Sequence, residues 1–207
     1  TLIAVVLLLR QPDFGNAVIV VLLLAILLSV AGTKLNYLFL SLLVAAPVAY
    51  ALITQRSYRF LRLKAFLDPW QHRHDDAYQV FQSLVSFSKG GLWGVGAGAG
   101  HQKLGFVPEA HNDFIMSIVG EELGLLGVVV TVALFALIVW RGLRIANREQ
   151  DPFRMLLATG LTTAIGLGAA INCGVVLAIL PTKGLPLPLV SYGGSAMVAT
   201  LGALGLL

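Results

Sequence analysis

Long stretches without a single charge restrict this chain more than any other feature of it. Residues 15–32, 35–54 and 155–180 hold no Asp, Glu, Lys or Arg, and residues 114–140 hold only Glu121 and Glu122. A helix needs roughly 20 predominantly apolar residues to cross a hydrocarbon core about 30 Å thick. Helices satisfy their own backbone groups in lipid, so four such runs imply an all-α fold, a polytopic transmembrane helix bundle. Composition excludes several other classes. The chain is 57% hydrophobic and 12% charged, against about 45–50% and about 25% in soluble domains. A soluble enzyme, a disordered tail and a nucleic-acid binder are excluded, and one cysteine, Cys173, excludes a disulfide-rich secreted module. The net charge of +4 suits a protein facing anionic lipid or an anionic substrate.

The chain reads as one transmembrane domain over 1–207. Partial spans at 1–9 and 195–207 are too short to cross, and the sequence is therefore expected to be an internal fragment of a longer polytopic protein. Pro47 marks a kink in the second run. Residues 114–140 make about 40 Å of helix, so that span must tilt or project into the interface. Arg141, Arg144, Arg148 and Arg154 cluster between the third and fourth runs, which places that connection on the cytoplasmic side. Alternation then puts 55–112 and 181–194 outside, although the long loop carries basic residues of its own. That loop opens with alternating basic and apolar residues at 57–66, the pattern of a short helix lying on the membrane surface. Residues 78–88 read as a second short helix, and the glycine run 90–100 reads as a flexible loop.

Three blocks have residue types that carry chemistry. In Pro108-Glu109-Ala110-His111-Asn112-Asp113-Phe114, Asn112 or Asp113 can cap the following helix. Asp113 can equally be a carboxylate at the bilayer edge, beside His111 and Glu109, able to take a proton from a substrate hydroxyl. Glu121 and Glu122 fall about 12 Å further along the helix; carboxylates in an apolar span are either paired within the bundle or functional. Residues 181–194 contain three prolines and three glycines, which rule out regular helix. Irregular backbone at membrane depth is tolerated only when buried in protein or lining a wet cavity, so the segment reads as a re-entrant loop. Its one charge, Lys183, either snorkels to headgroups or serves as a fixed cation for phosphate. His72-Arg73-His74-Asp75-Asp76 matches no standard metal spacing, and the glycine run follows no strand, so it is no dinucleotide site.

Gln11-Pro12-Asp13-Phe14-Gly15, the block from Pro108 through Gly120-Glu121-Glu122-Leu123-Gly124, and Pro181-Thr182-Lys183-Gly184-Leu185 through Ser191-Tyr192-Gly193-Gly194-Ser195 together resemble the shape, elongation, division and sporulation family. This is the FtsW/RodA group of peptidoglycan glycosyltransferases, and the second and third blocks are more similar to its division branch. The resemblance covers the whole chain. It implies a ten-helix fold of which this chain is the C-terminal half, a multi-pass place in the bacterial cytoplasmic membrane, and a site facing outside. It implies polymerisation of lipid II onto an undecaprenyl-pyrophosphate-linked glycan strand, with Asp113 as the essential carboxylate and Lys183 as the important cation. His111, Glu109, Ser191 and Lys103 join Lys183 as substrate-binding candidates. A divalent metal, magnesium or manganese, is implied without identifiable ligands, and a class B penicillin-binding protein transpeptidase is the implied partner.

The chemistry suits those residues. A sugar hydroxyl attacks poorly until a base takes its proton, and a departing pyrophosphate needs positive charge. An α-linked donor giving a β-1,4 product inverts, which needs one base and no covalent enzyme intermediate. Two other readings stay open: a flippase for lipid-linked precursors using Glu121 and Glu122, and a non-catalytic division scaffold.

Overall fold

A computed structural model describes residues 14–54, 66, 78–100 and 112–207. The described residues form six helices: α1 (Phe14–Val30), α2 (Leu35–Thr54), α3 (Tyr78–Gly90), α4 (Ile115–Ala146), α5 (Pro152–Val176) and α6 (Gly194–Leu206). Two of them, α4 and α5, are long and apolar enough to cross a membrane. The outer surface of the bundle suits hydrocarbon: Phe39, Leu43 and Val198 are each about 70% exposed, an apolar exterior that water would not tolerate.

Local signals account for where the helices begin and end. α5 starts earlier than its apolar run because Asp151 accepts a hydrogen bond from the Phe153 N–H at 3.1 Å and Pro152 occupies the first helical position, a favourable N-terminus. It stops at Val176, short of Leu180. Ala178 takes a φ of 57°, and the Ile179 N–H reaches back to the Gly174 carbonyl at 2.8 Å while the Ala178 N–H bonds Val175. That is a helix-terminating Schellman arrangement ahead of Pro181.

The long helix α4 is not continuous. Gly124 has φ 66° and ψ −164°, a conformation open to glycine and strained for other residues, so the helix breaks after its first two and a half turns. The glycine run lies across the break. Val95 and Gly96 donate to the Glu121 and Glu122 carbonyls, and Leu125 donates to the Gly91 carbonyl. The side chain of Glu122 accepts from the Gly98 N–H at 2.9 Å. Residues read from sequence as a flexible loop are thus a fitted patch over a gap in a helix. The part beyond Gly124 is about 33 Å long, close to one hydrocarbon thickness, so the excess length expected of an unbroken span is divided at the break.

Small residues bring the elements together. Gly142 of α4 sits against Thr162 of α5, and Gly120 of α4 against Phe87 of α3, the close approach that holds helices together where lipid supplies no hydrophobic drive. Ser83 of α3 donates to the Val176 carbonyl at 2.7 Å, which ties α3 to the end of α5. The core these contacts enclose is built on Phe114, Met116, Phe135, Ile165, Val175, Val176 and Leu187.

The Gly124 break yields a stability test. Gly124→Ala places a methyl against Gly94 and Leu92 in a backbone region strained for alanine, and is expected to cost roughly 2 kcal/mol. Gly202→Ala, where nothing lies within 4 Å, is expected to leave the thermal unfolding midpoint in detergent unchanged or slightly raised. Equal midpoints for both variants would refute the assignment.

Candidate active site

The irregular segment 181–193 between α5 and α6 organises the site. Pro181, Pro186 and Pro188 lack backbone donors, and Leu189 adopts a φ of 64°, so the backbone must find hydrogen bonds outside itself. Two buried side chains supply them. Asn172 of α5, 2% exposed, donates from Nδ2 to the Leu185 carbonyl at 2.6 Å and to the Asp113 carbonyl at 2.8 Å. Ser191 is also buried. Its hydroxyl accepts from the Leu187 N–H at 2.7 Å and donates to the Asn112 carbonyl at 2.5 Å. The segment is thereby fastened at two points to the turn that opens α4.

That turn carries the acid. The N-cap position of α4 is held by Phe114, the residue after Asn112 and Asp113. Phe114 anchors the turn in the core, 2% exposed, and its carbonyl accepts from the Ser117 hydroxyl at 2.7 Å. The Asp113 carboxylate points at the segment: Oδ2 lies 2.8 Å from where a Cβ on Gly184 would stand. It occupies the volume that glycine leaves open.

Lys183, the residue before Gly184, is seated by α1. Its stem fills the space where Gly15 would carry a side chain, and its Nζ donates to Asn16 Oδ1 at 2.8 Å. A cavity of about 270 Å³ opens beside this seat, lined by Asn16, Leu185, Leu187, Ser191, Met197 and Thr200 among others. The walls are mostly apolar, with the polar groups of Asn16 and Ser191 at hand.

Lys183 and Ser191 therefore belong to one segment, and the Asp113 carboxylate lies against it at Gly184. The hydroxyl proton of Ser191 goes to the Asn112 carbonyl, so this residue shapes the segment. Glu109, His111 and Lys103 lie outside the described residues, as do Gln11 to Asp13 and the 72–76 cluster. Glu121 and Glu122 belong elsewhere: Oε2 of Glu121 and Oε1 of Glu122 each lie 3.0 Å from the Cβ position of Gly100, under the glycine run. Among the described residues no group of three or more His, Cys, Asp or Glu side chains gathers. Magnesium is commonly held by one or two carboxylates together with waters and substrate phosphates; of the described carboxylates, Asp113 would be the one to hold it at this segment.

Sequence reasoning missed Asn16, Asn172 and Gly15. Asn172 had a usable signal, an amide within an otherwise apolar run, since an unmet polar group in that setting costs several kcal/mol.

A profile described as "Cell cycle protein", covering FtsW, RodA and SpoVE, matches residues 1–207. The chain belongs to the FtsW/RodA/SpoVE family. Among curated relatives of this family, a protein named "Probable peptidoglycan glycosyltransferase FtsW" from Geobacter metallireducens is 45% identical over 205 residues, 99% of this chain and 55% of the relative. One of the same name from Alkalilimnicola ehrlichii is 48% identical over 208 residues, 99% of this chain and 52% of the relative. The chain thus spans about half the length of the curated relatives it matches. Two solved structures share the FtsW/RodA/SpoVE architecture. One, titled "Structural coordination of polymerization and crosslinking by a peptidoglycan synthase complex", has a TM-score of 0.79 at 30% identity, covering 98% of this chain and 56% of that one. The other, a variant of the rod shape determining protein RodA from Thermus thermophilus, has a TM-score of 0.63 at 28% identity, covering 98% and 51%. The polytopic helix bundle expected from the apolar runs is the fold of this family.

The double fastening predicts a measurable loss. Ser191→Ala removes one donor and one acceptor from a buried site and leaves two backbone groups unmet, at a cost of roughly 2 kcal/mol. The thermal unfolding midpoint in detergent is expected to fall accordingly, whereas replacing exposed Tyr192 with phenylalanine leaves it in place. An unshifted Ser191→Ala midpoint would count against the fastening.

Proposed function

We propose that this chain carries the catalytic centre of a peptidoglycan glycosyltransferase that polymerises lipid II into β-1,4-linked glycan strands. The observation that carries the reading is the meeting of the Asp113 carboxylate with Gly184, one residue from Lys183. The names of the FtsW relatives support it.

In the proposed reaction the incoming lipid II presents its GlcNAc 4-hydroxyl to the anomeric carbon of the growing strand. Asp113 takes the hydroxyl proton as the new glycosidic bond forms. The bond from the anomeric carbon to pyrophosphate breaks, and the polyprenyl pyrophosphate leaves with both electrons of that bond. Lys183, held by Gly15 and Asn16, steadies the charge that develops on it. One displacement inverts the α linkage, so no covalent enzyme intermediate forms. The apolar cavity beside Lys183 suits the first units of a prenyl chain. A class B penicillin-binding protein is the proposed partner, and the bacterial cytoplasmic membrane, with Asp113 on the outer side, the proposed location.

In the full-length protein, Asp113→Asn is expected to lower polymer formation from purified lipid II by at least about a hundredfold while the protein stays monodisperse. Lys183→Ala is expected to slow it by about tenfold to a hundredfold. Electrophoresis of the labelled polymer reads both. Undiminished polymer from Asp113→Asn would remove the acid from the mechanism, and movement of lipid II across vesicles without polymer would favour the transport reading.

A further inference from the structure

Asn172 stands 59 residues from Asp113 in the chain, on a different helix, and yet it contacts that residue's backbone. We propose that Asn172 is a positioning residue that aims the Asp113 carboxylate at the reacting sugar, an inference that rests on the proposed glycosyltransferase reading.

Its two acceptors are the carbonyl of Asp113 itself and that of Leu185, two residues beyond Lys183. Both are oxygens, so the amide is orientated: the nitrogen must face them, since Oδ1 in its place would set three acceptors together. Asn172 Oδ1 has no hydrogen-bond partner among the described residues, which agrees with an amide placed for what its nitrogen does. The nitrogen carries two protons, and each has a carbonyl to meet. One side chain thereby fixes the separation between the acid's backbone and the strand that carries the cation.

The second fastening, through Ser191, joins Asn112 to Leu187. A single tie would leave the turn free to pivot. Two ties at neighbouring residues fix its orientation, and with it the direction of the Asp113 Cα–Cβ bond over Gly184. Asn172 holds the tie on the acid itself. Its helix gives rigid support, because Ile165, Ala169, Val175 and Val176 around it are all buried. An apolar residue in its place would fill the volume but leave two carbonyls unmet and the turn held at one point only.

The test uses the full-length protein with Asn172→Ala and the isosteric Asn172→Asp, which replaces the donor with an acceptor, beside Asp113→Asn in the same polymerisation assay. For both Asn172 variants kcat is expected to fall by about tenfold to a hundredfold, with KM for lipid II within about twofold of wild type. Amide hydrogen exchange is expected to rise in residues 112–117 and 183–191 and to hold steady in residues 126–140. A full kcat in Asn172→Asp, a loss expressed in KM alone, or faster exchange throughout the bundle would each overturn the assignment. If Asp113→Asn itself turns over normally, the base assignment falls. If Asp113→Asn is dead while the Asn172 variants are unimpaired, only the positioning role falls.

Discussion

Every backbone amide and carbonyl at membrane depth must find its partner inside the protein, because hydrocarbon offers none. Among the described residues helix is interrupted at Gly124 and at 181–193 within that constraint, and each departure is repaired by groups distant in sequence. At Gly124 the repair comes from the backbone of the glycine run. At 181–193 it comes from the side chains of Asn172 and Ser191. Both places hold carboxylates: Glu121 and Glu122 under the glycine run, and Asp113 over Gly184. Helix is abandoned where polar groups have to be presented, and the surrounding bundle is rigid enough to make that tolerable.

The two repairs differ in kind. The glycine run contributes two main-chain donors and two acceptors to an interrupted helix, and its fit depends on the absence of side chains at Gly94 and Gly100. The other uses polar side chains projecting from a helix and from the segment itself, so it depends on their chemistry. A methyl added at the first is a steric insult; a methyl substituted at the second is a loss of hydrogen bonds. Glycine and amide thus do equivalent structural work by opposite means.

Much of the fold was legible because hydrophobic runs record burial in lipid directly. The short helix read at 78–88 is α3, which continues slightly further to Gly90, and the prolines of 181–194 announced irregular backbone. Boundaries were harder. The start of α5 depends on Asp151 and Pro152, which lie outside its apolar run, and its end depends on Ala178 entering a left-handed conformation that composition does not favour. The break at Gly124 was hidden, since one glycine among several in a long apolar run carries no mark of its φ. At the site, Asp113 and Lys183 stood out as charges in apolar surroundings. Asn16 and Asn172 did not, because an uncharged amide leaves a weak trace in a sequence and its value comes from partners dozens of residues away.

The far end of α4 carries a different lesson. Arg141 and Arg144 hold their guanidinium groups 5.3 and 5.2 Å from the ring centre of Trp140, a stacked arrangement that favours the headgroup zone. From that collar back to the break at Gly124 is about 24 Å of continuous helix, against about 30 Å of hydrocarbon. The shortfall acts as a depth gauge. With the collar moored among one leaflet's phosphates, the break stops short of the far boundary, and the glycine run that covers it is drawn into the hydrocarbon with it.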